Sequence, residues 1–183
     1  MKPLLTEDLL IRPFERSDVD AFVAAVRESV STVGLWMPWC HEHYSDSHAQ
    51  AWIQACAENL GAGFSYDLGI FSTDDKELFG GISINQLNRA HNFGNIGYWV
   101  RQSRQRQGIA TRAVQAIARF GFDDLKLARL EIVAAENNDI SRRVAEKAGA
   151  VFECVARNRL IVHGQAQPAA VYSLVPGKQE GSA

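Results

Sequence analysis

The feature that most limits the fold is a change of period near the middle of the chain. From Phe64 to Val100 the residues read as strands, and from Gly108 they read as helix. Strand-like runs at 64–71, 78–87 and 95–100 are separated by turn-forming clusters at 74–76 and 89–92, which predicts an antiparallel meander. After Gly108, the residues Ile109, Ala113, Ala116, Ile117 and Phe120 recur at helical spacing. They predict an amphipathic helix running to about Phe122.

The flanks extend this pattern. Leu9 to Pro13 reads as a short strand. Ser17 with Asp20 reads as the start of a helix carrying Val19, Phe22, Val23 and Val26. Residues 31–40 form a loop rich in large side chains: Trp36, Met37, Pro38 and Trp39. Ser47 with Gln50 predicts a second helix cap, and Gly61 and Gly63 predict its end, with Trp52 placed in the core. Beyond the central helix come a strand at 128–134, a helix from Asn138 to Ala148 closed by Gly149, and strands at 151–162 and 169–175 around His163-Gly164. Cys154 on the first of these reads as a small buried hydrophobe. The sum is a mixed α/β (α+β) fold, with a mostly antiparallel sheet of about seven strands flanked by helices. One domain over residues 1–176 is expected, with a frayed tail at 177–183.

Composition narrows the partners. A hydrophobic fraction of 46% with 22% charged residues suits a packed domain. A net charge of −2 argues against whole-molecule attraction to nucleic acid. Cys40, Cys56 and Cys154 have no disulfide or metal spacing, which suits a reducing cytoplasm. No secretory signal or membrane-spanning run is read from the sequence.

The charges are unevenly placed. No Asp or Glu occurs between Leu78 and Phe122, whereas Arg89, Arg101, Arg104, Arg106, Arg112 and Arg119 do. Four of these arginines crowd the segment from Arg101 to Arg112, which joins a strand to a helix N-terminus at Gly108. Free backbone N–H groups and the positive end of the helix dipole make such a junction an anion site. Neither the dinucleotide-binding glycine pattern nor the nucleotide-triphosphatase loop is present. No aromatic residue interleaves the Arg101–Arg112 segment as a base-stacking platform. A metal-free phosphate carrier such as coenzyme A fits better than ATP or RNA.

Gln105-Arg106-Gln107-Gly108-Ile109-Ala110 resembles the pyrophosphate motif of the GNAT acetyltransferase superfamily, and Asn138 to Ala150 resembles that family's Asn-x-x-Ser and Glu-Lys-x-Gly segment. The Leu35 to Trp39 patch resembles the acceptor region of the branch that contains ribosomal-protein N-terminal acetyltransferases. The resemblance runs from Leu9 to Leu174. It implies acetyl-CoA as co-substrate, a primary amine as acceptor (a protein N-terminus or a small molecule), no metal, and a homodimer as one expected assembly.

Residue by residue, the resemblance implies that the pantetheine arm lies along Tyr98 to Arg101, including Trp99, with the Val100 N–H aimed at the thioester oxygen. Gln105, Arg106, Gln107, Gly108, Ile109, Ala110 and Thr111 would hold the pyrophosphate, and Asn138 the pantetheine amide. Ser141 near the sulfur is the candidate acid, and Glu131 on the neighbouring strand the candidate base. Trp36, Trp39, His41 and Tyr98 are candidates for the acceptor pocket, with His43 nearby. Asn95 and Ala145 stand where many members of the family carry a glutamate base and a tyrosine acid. A water relay, a small-molecule acceptor and a non-catalytic acyl-CoA-binding module remain open alternatives.

Overall fold

The meander forms as read. In a computed structural model that describes residues 1–177, its strands are β3 (Tyr66–Phe71), β4 (Leu78–Asn88) and β5 (Phe93–Val100). They belong to an eight-stranded sheet with β1 (Leu4–Leu5), β2 (Leu10–Pro13), β6 (Arg129–Ala135), β7 (Val151–Val162) and β8 (Gln165–Leu174), ordered β1-β2-β3-β4-β5-β6-β8-β7. Neighbours are antiparallel except β5 and β6, which the crossover through α3 (Ile109–Asp123) makes parallel. The eighth strand is β1, two residues too short to carry a period. The tail expected at 177–183 lies outside the described residues from 178 onward.

Alternation along the strands creates two cores. Leu68, Ile70, Ile82, Ile84, Ile96, Leu130 and Ile132 face one side, under Ile109, Ala113, Ile117 and Phe120 of α3 and Ala145 of α4 (Asp139–Lys147). On the other side, Phe22, Val23 and Val26 of α1 (Val19–Glu28) and Ile53 and Cys56 of α2 (Asp46–Ala62) pack over Phe14, Phe71 and Leu78. The ring of Trp99 lies flat across β4, and a Cβ at Gly81 would meet its Nε1 at 2.5 Å. That close approach shapes the second face.

Several local expectations are corrected. The cap before α1 is formed by Glu15 and Asp18, not Ser17 and Asp20: Asp18 accepts the Glu15 N–H at 2.7 Å while Arg12 grips its carboxylate at 2.8 and 2.9 Å. A short 3-10 turn at Arg16–Asp18 precedes the helix. The cap of α2 is Ser45, whose N–H donates to His48 Nδ1 at 3.1 Å, so the helix starts before Ser47. It also runs past Gly61 and ends at Gly63, which takes the left-handed conformation. Cys154 is exposed, because β7 is an edge strand with most of its length uncovered. No described helix is long and apolar enough to cross a membrane.

Candidate active site

The sheet opens at its centre. β5 and β6 pair only through Phe93–Asn95 against Arg129–Glu131, although β5 continues to Val100 and β6 to Ala135. β5 keeps β4 on its other edge, and β6 keeps β8. From Ile96 and Ile132 onward the facing backbone edges are unpaired, leaving a V whose mouth lies toward the start of α3. Unpaired N–H and C=O groups on a strand edge are a template for an extended, amide-bearing chain.

The loop from Arg101 to Gly108 closes the top of the V, and here the charge reading changes. The stretch is acid-free in sequence but not in space. Arg101 and Arg104 are ion-paired with Glu28 and Glu77 respectively, and Arg112 pairs with Asp8 at 2.6 Å. Glu28 also accepts the Ser103 N–H at 2.6 Å, and the Arg101 guanidinium holds its carboxyl down at about 2. Arg106 is the arginine of this loop without an ion pair among the described residues, and it takes a left-handed φ of 63°. Gln105 turns inward, donating to the Val100 carbonyl at 2.9 Å and to Thr32 Oγ1 at 3.1 Å. It anchors the loop to β5 rather than facing outward.

What remains for an anion is backbone. Gly108, at φ 73°, caps α3, and a Cβ there would meet the Arg112 guanidinium at 2.7 Å. The first helical bond is Arg112 N–H to Gly108 C=O. Among the described residues, the N–H groups of Gln107, Gly108, Ile109, Ala110 and Thr111 find no backbone acceptor. Alternating left- and right-handed residues that point successive N–H groups outward form an anion nest, and the helix dipole adds to it.

Across the V stands the start of α4. Asn138 Oδ1 accepts the Ser141 N–H at 3.1 Å, so this oxygen caps the helix and leaves the amide nitrogen for other partners. The Tyr98 hydroxyl donates to the Ser141 carbonyl at 2.9 Å and lies 3.0 Å from Ser141 Oγ. Burial pushes the phenol up to about 12, although the Ser141 bond lowers it. Tyr98 therefore stays protonated beside the serine at neutral pH.

The opposite face holds a cavity of about 290 Å³. Phe22, Trp39, Tyr44, Trp52 and Trp99 wall it, and Asp67, Ser83, Asn85 and Gly97 form its floor. Trp39 lines this cavity. Trp52, expected in the core, is 43% exposed and lines the cavity, because that side of α2 faces the pocket mouth. Trp36 and His41 do not line it. His41 instead packs at a tilt against Tyr44 and edge-on against His48. A wider depression of about 790 Å³ lies at the far end of α3 from Gly108, between Leu60 and Asp124, away from the V.

Side-chain amides run across the floor. Asn95 donates to Asn85 at 3.0 Å and Asn85 to Ser83 at 2.9 Å. Asn95 Oδ1 is buried without a partner among the described residues. Glu131 sits beside Asn95 in register, but its carboxylate is engaged by Arg129 at 3.0 Å. Asp67 was not singled out by the sequence. A charged residue inside the run Tyr66–Phe71 was the signal, since it breaks an apolar strand on the face that should be covered. No cluster of three or more His, Cys, Asp or Glu side chains suited to a metal occurs among the described residues.

Residues 8–151 match the acetyltransferase (GNAT) domain family. YdaF of Bacillus subtilis (strain 168), which carries the provisional name of a ribosomal N-acetyltransferase, is 29% identical over 184 residues, spanning 97% of this chain and 96% of its own. The ribosomal-protein-serine acetyltransferase of Escherichia coli (strain K12) is 34% identical over 91 residues, half of each chain. Among solved structures, the RimL ribosomal L7/L12 α-N-protein acetyltransferase in complex with coenzyme A superposes with a TM-score of 0.86 at 20% identity, covering 95% of this chain and 98% of its own. The parted strands, the nest at Gly108 and this match over most of the length agree, and the chain belongs to the GNAT acetyltransferase family.

Proposed function

We propose that the protein transfers the acetyl group of acetyl-CoA to a primary amine by direct attack in a ternary complex. The observation that carries this reading is the V between β5 and β6, open at one end to the partner-free N–H groups of α3 and adjoining the aromatic cavity across β5. The donor set fits the co-substrate: backbone N–H groups at Gln107–Thr111 for a pyrophosphate, with Arg106 beside them, and a strand edge at Tyr98–Arg101 for the amides of a pantetheine arm.

The chemistry follows from position. The amine must lose a proton to attack, and the thiolate leaving group must gain one. In the free protein Ser141 Oγ lies against Tyr98. Its hydroxyl hydrogen-bonds to the departing sulfur, which takes up through water the proton that the amine releases, while the Tyr98 hydroxyl, 3.0 Å from Ser141 Oγ, holds the serine in place. A strand N–H of the parted β5 edge meets the oxyanion. In other enzymes, losing one such donor costs about 3–4 kcal/mol. Because Glu131 is tied to Arg129, the amine's proton leaves through water along the polar floor rather than to that carboxylate.

The relatives named for ribosomal proteins favour a protein N-terminus as acceptor, with a small amine as the second reading because the cavity is compact and aromatic. Buried free thiols at Cys40 and Cys56 support a reducing, cytoplasmic setting. The test is thermal unfolding with acetyl-CoA, followed by free-thiol release over N-terminal peptides, polyamines, amino acids and aminoglycosides. Ligand at about a hundred times its Kd adds about 2.7 kcal/mol. An unchanged melting temperature at millimolar acetyl-CoA refutes the assignment.

A further inference from the structure

The geometry points to Asp67 as the group that selects the acceptor: its carboxylate takes a second cationic nitrogen of the acceptor, remote from the one that is acetylated. This rests on the transfer reading above and names the substrate class for the same site: amines with another positive charge a fixed distance away.

Four observations converge. First, Asp67 is half-buried on the cavity floor, and its described hydrogen bond is a short one to Oδ2 from the Ser65 hydroxyl. Oδ1 has no protein donor, yet it is not among the sealed-off polar atoms. It therefore opens into space. Second, no cation lies within ion-pair distance of it among the described residues. Burial raises its pKa, and only the Ser65 bond opposes that. A half-buried carboxylate left without a cationic partner is costly to keep for structure alone.

Third, no Lys or Arg lines the cavity, whereas Trp39, Tyr44, Trp52 and Trp99 do. Aromatic faces with one carboxylate and no competing cation are a setting for an organic ammonium. Asp67 also borders the neighbouring depression, where Lys2 is the one cationic side chain among the lining residues, and the two form no ion pair among the described residues. Fourth, register sets the spacing. Asp67 pairs with Ser83 and Ser83 with Gly97, all on one face. Adjacent strands lie about 4.8 Å apart, so Asp67 is about 10 Å from Gly97 at the V. Allowing for the hydrogen bond, a nitrogen over Gly97 and one held by Asp67 are about 7 Å apart, roughly the span of 1,5-diaminopentane. A Cβ at Gly97 would sit 3.1 Å from Ser83 Oγ and narrow the path between them.

The cation has two sources, a diamine or a lysine near a peptide N-terminus, and the assay includes both. Wild-type protein and Asp67→Asn are compared with acetyl-CoA and four acceptors: 1,5-diaminopentane, pentylamine, and tetrapeptides beginning Ser-Lys or Ser-Met. The wild type prefers at least one dication to its monocationic match by about tenfold or more in kcat/KM. Asp67→Asn removes that preference through KM and retains the acetyl-CoA melting shift. The isosteric amide still accepts from Ser65, so the fold persists, and its melting temperature checks this.

Equal use of matched acceptors by the wild type overturns the inference, and so does a preference that survives Asp67→Asn. If no acceptor is acetylated, stabilisation of the CoA-saturated protein by 1,5-diaminopentane decides. Stabilisation that depends on Asp67 supports the site, and none overturns it. A missing acetyl-CoA shift sinks the transfer reading independently of both.

Discussion

The two sides of the V are built in different ways. The α3 side is contiguous in sequence: Gln105 to Thr111 form a loop, a left-handed glycine and the first turn of a helix, and the ligand-facing groups are main-chain N–H. The cavity side is assembled from distant pieces: Trp39 from a loop, Trp52 from α2, Asp67, Ser83 and Gly97 from three strands. Backbone donors at a helix start do not depend on side-chain identity, which suits the proposed role in holding the cofactor. Side chains gathered by tertiary packing are free to differ, which suits the proposed role in choosing the acceptor. Cofactor recognition is then robust to side-chain change except at Gly108, and acceptor choice is sensitive at single positions.

The largest effect expected is at Gly108. Gly108→Glu places a carboxylate in the nest at a left-handed φ, and should weaken acetyl-CoA by about a hundredfold or more, about 3 kcal/mol. Titration calorimetry reads this directly, and near-normal affinity would break the contrast between the sides. Ser141→Ala comes next. If the serine hydroxyl acts on the leaving sulfur as proposed, the substitution should lower kcat by about 10- to 100-fold with cofactor affinity little changed. Pre-steady-state thiol release measures it, and full turnover returns Ser141 to a role in the α4 cap.

The smallest effect tests how the sides are joined. Glu28, at the end of α1, anchors Arg101 and Ser103 in the loop that leads to the nest. Its pKa lies below the unfolded value, at about 2, so the native state favours the charged form. The stabilisation is complete above the unfolded carboxylate pKa, and it is lost as pH falls through about 2. Glu28→Gln should cost about 1–2 kcal/mol near neutral pH. The gap from wild type should close as pH drops from about 5 toward 2. Urea unfolding at several pH values measures it, and a gap independent of pH would remove the ion pair from the account.

Much of this was legible locally. The meander and α3 followed from periods of two and near four, and Gly108 from its place between strand and helix. Three-dimensional information was needed wherever a partner lies far along the chain. The arginine loop looked like an anion clamp because Glu28, Glu77 and Asp8 lie outside its sequence stretch, yet in space they pair with Arg101, Arg104 and Arg112. Trp52 read as core because helical position alone does not say where a pocket opens. The caps at Glu15 and Ser45 were misplaced by short distances because several Ser, Asp and Glu residues compete there and tertiary bonds to Arg12 and His48 decide.

Dihedral preference and period, both local, were enough to predict a mixed sheet, a helix starting beside Gly108 and a run of free backbone N–H groups there. Folding was needed to show which charges remain available, that Ser141 rests against Tyr98, and that Asp67 has no ion pair among the described residues under an aromatic wall. Electrostatics and desolvation act between residues brought close by folding, whatever their separation along the chain.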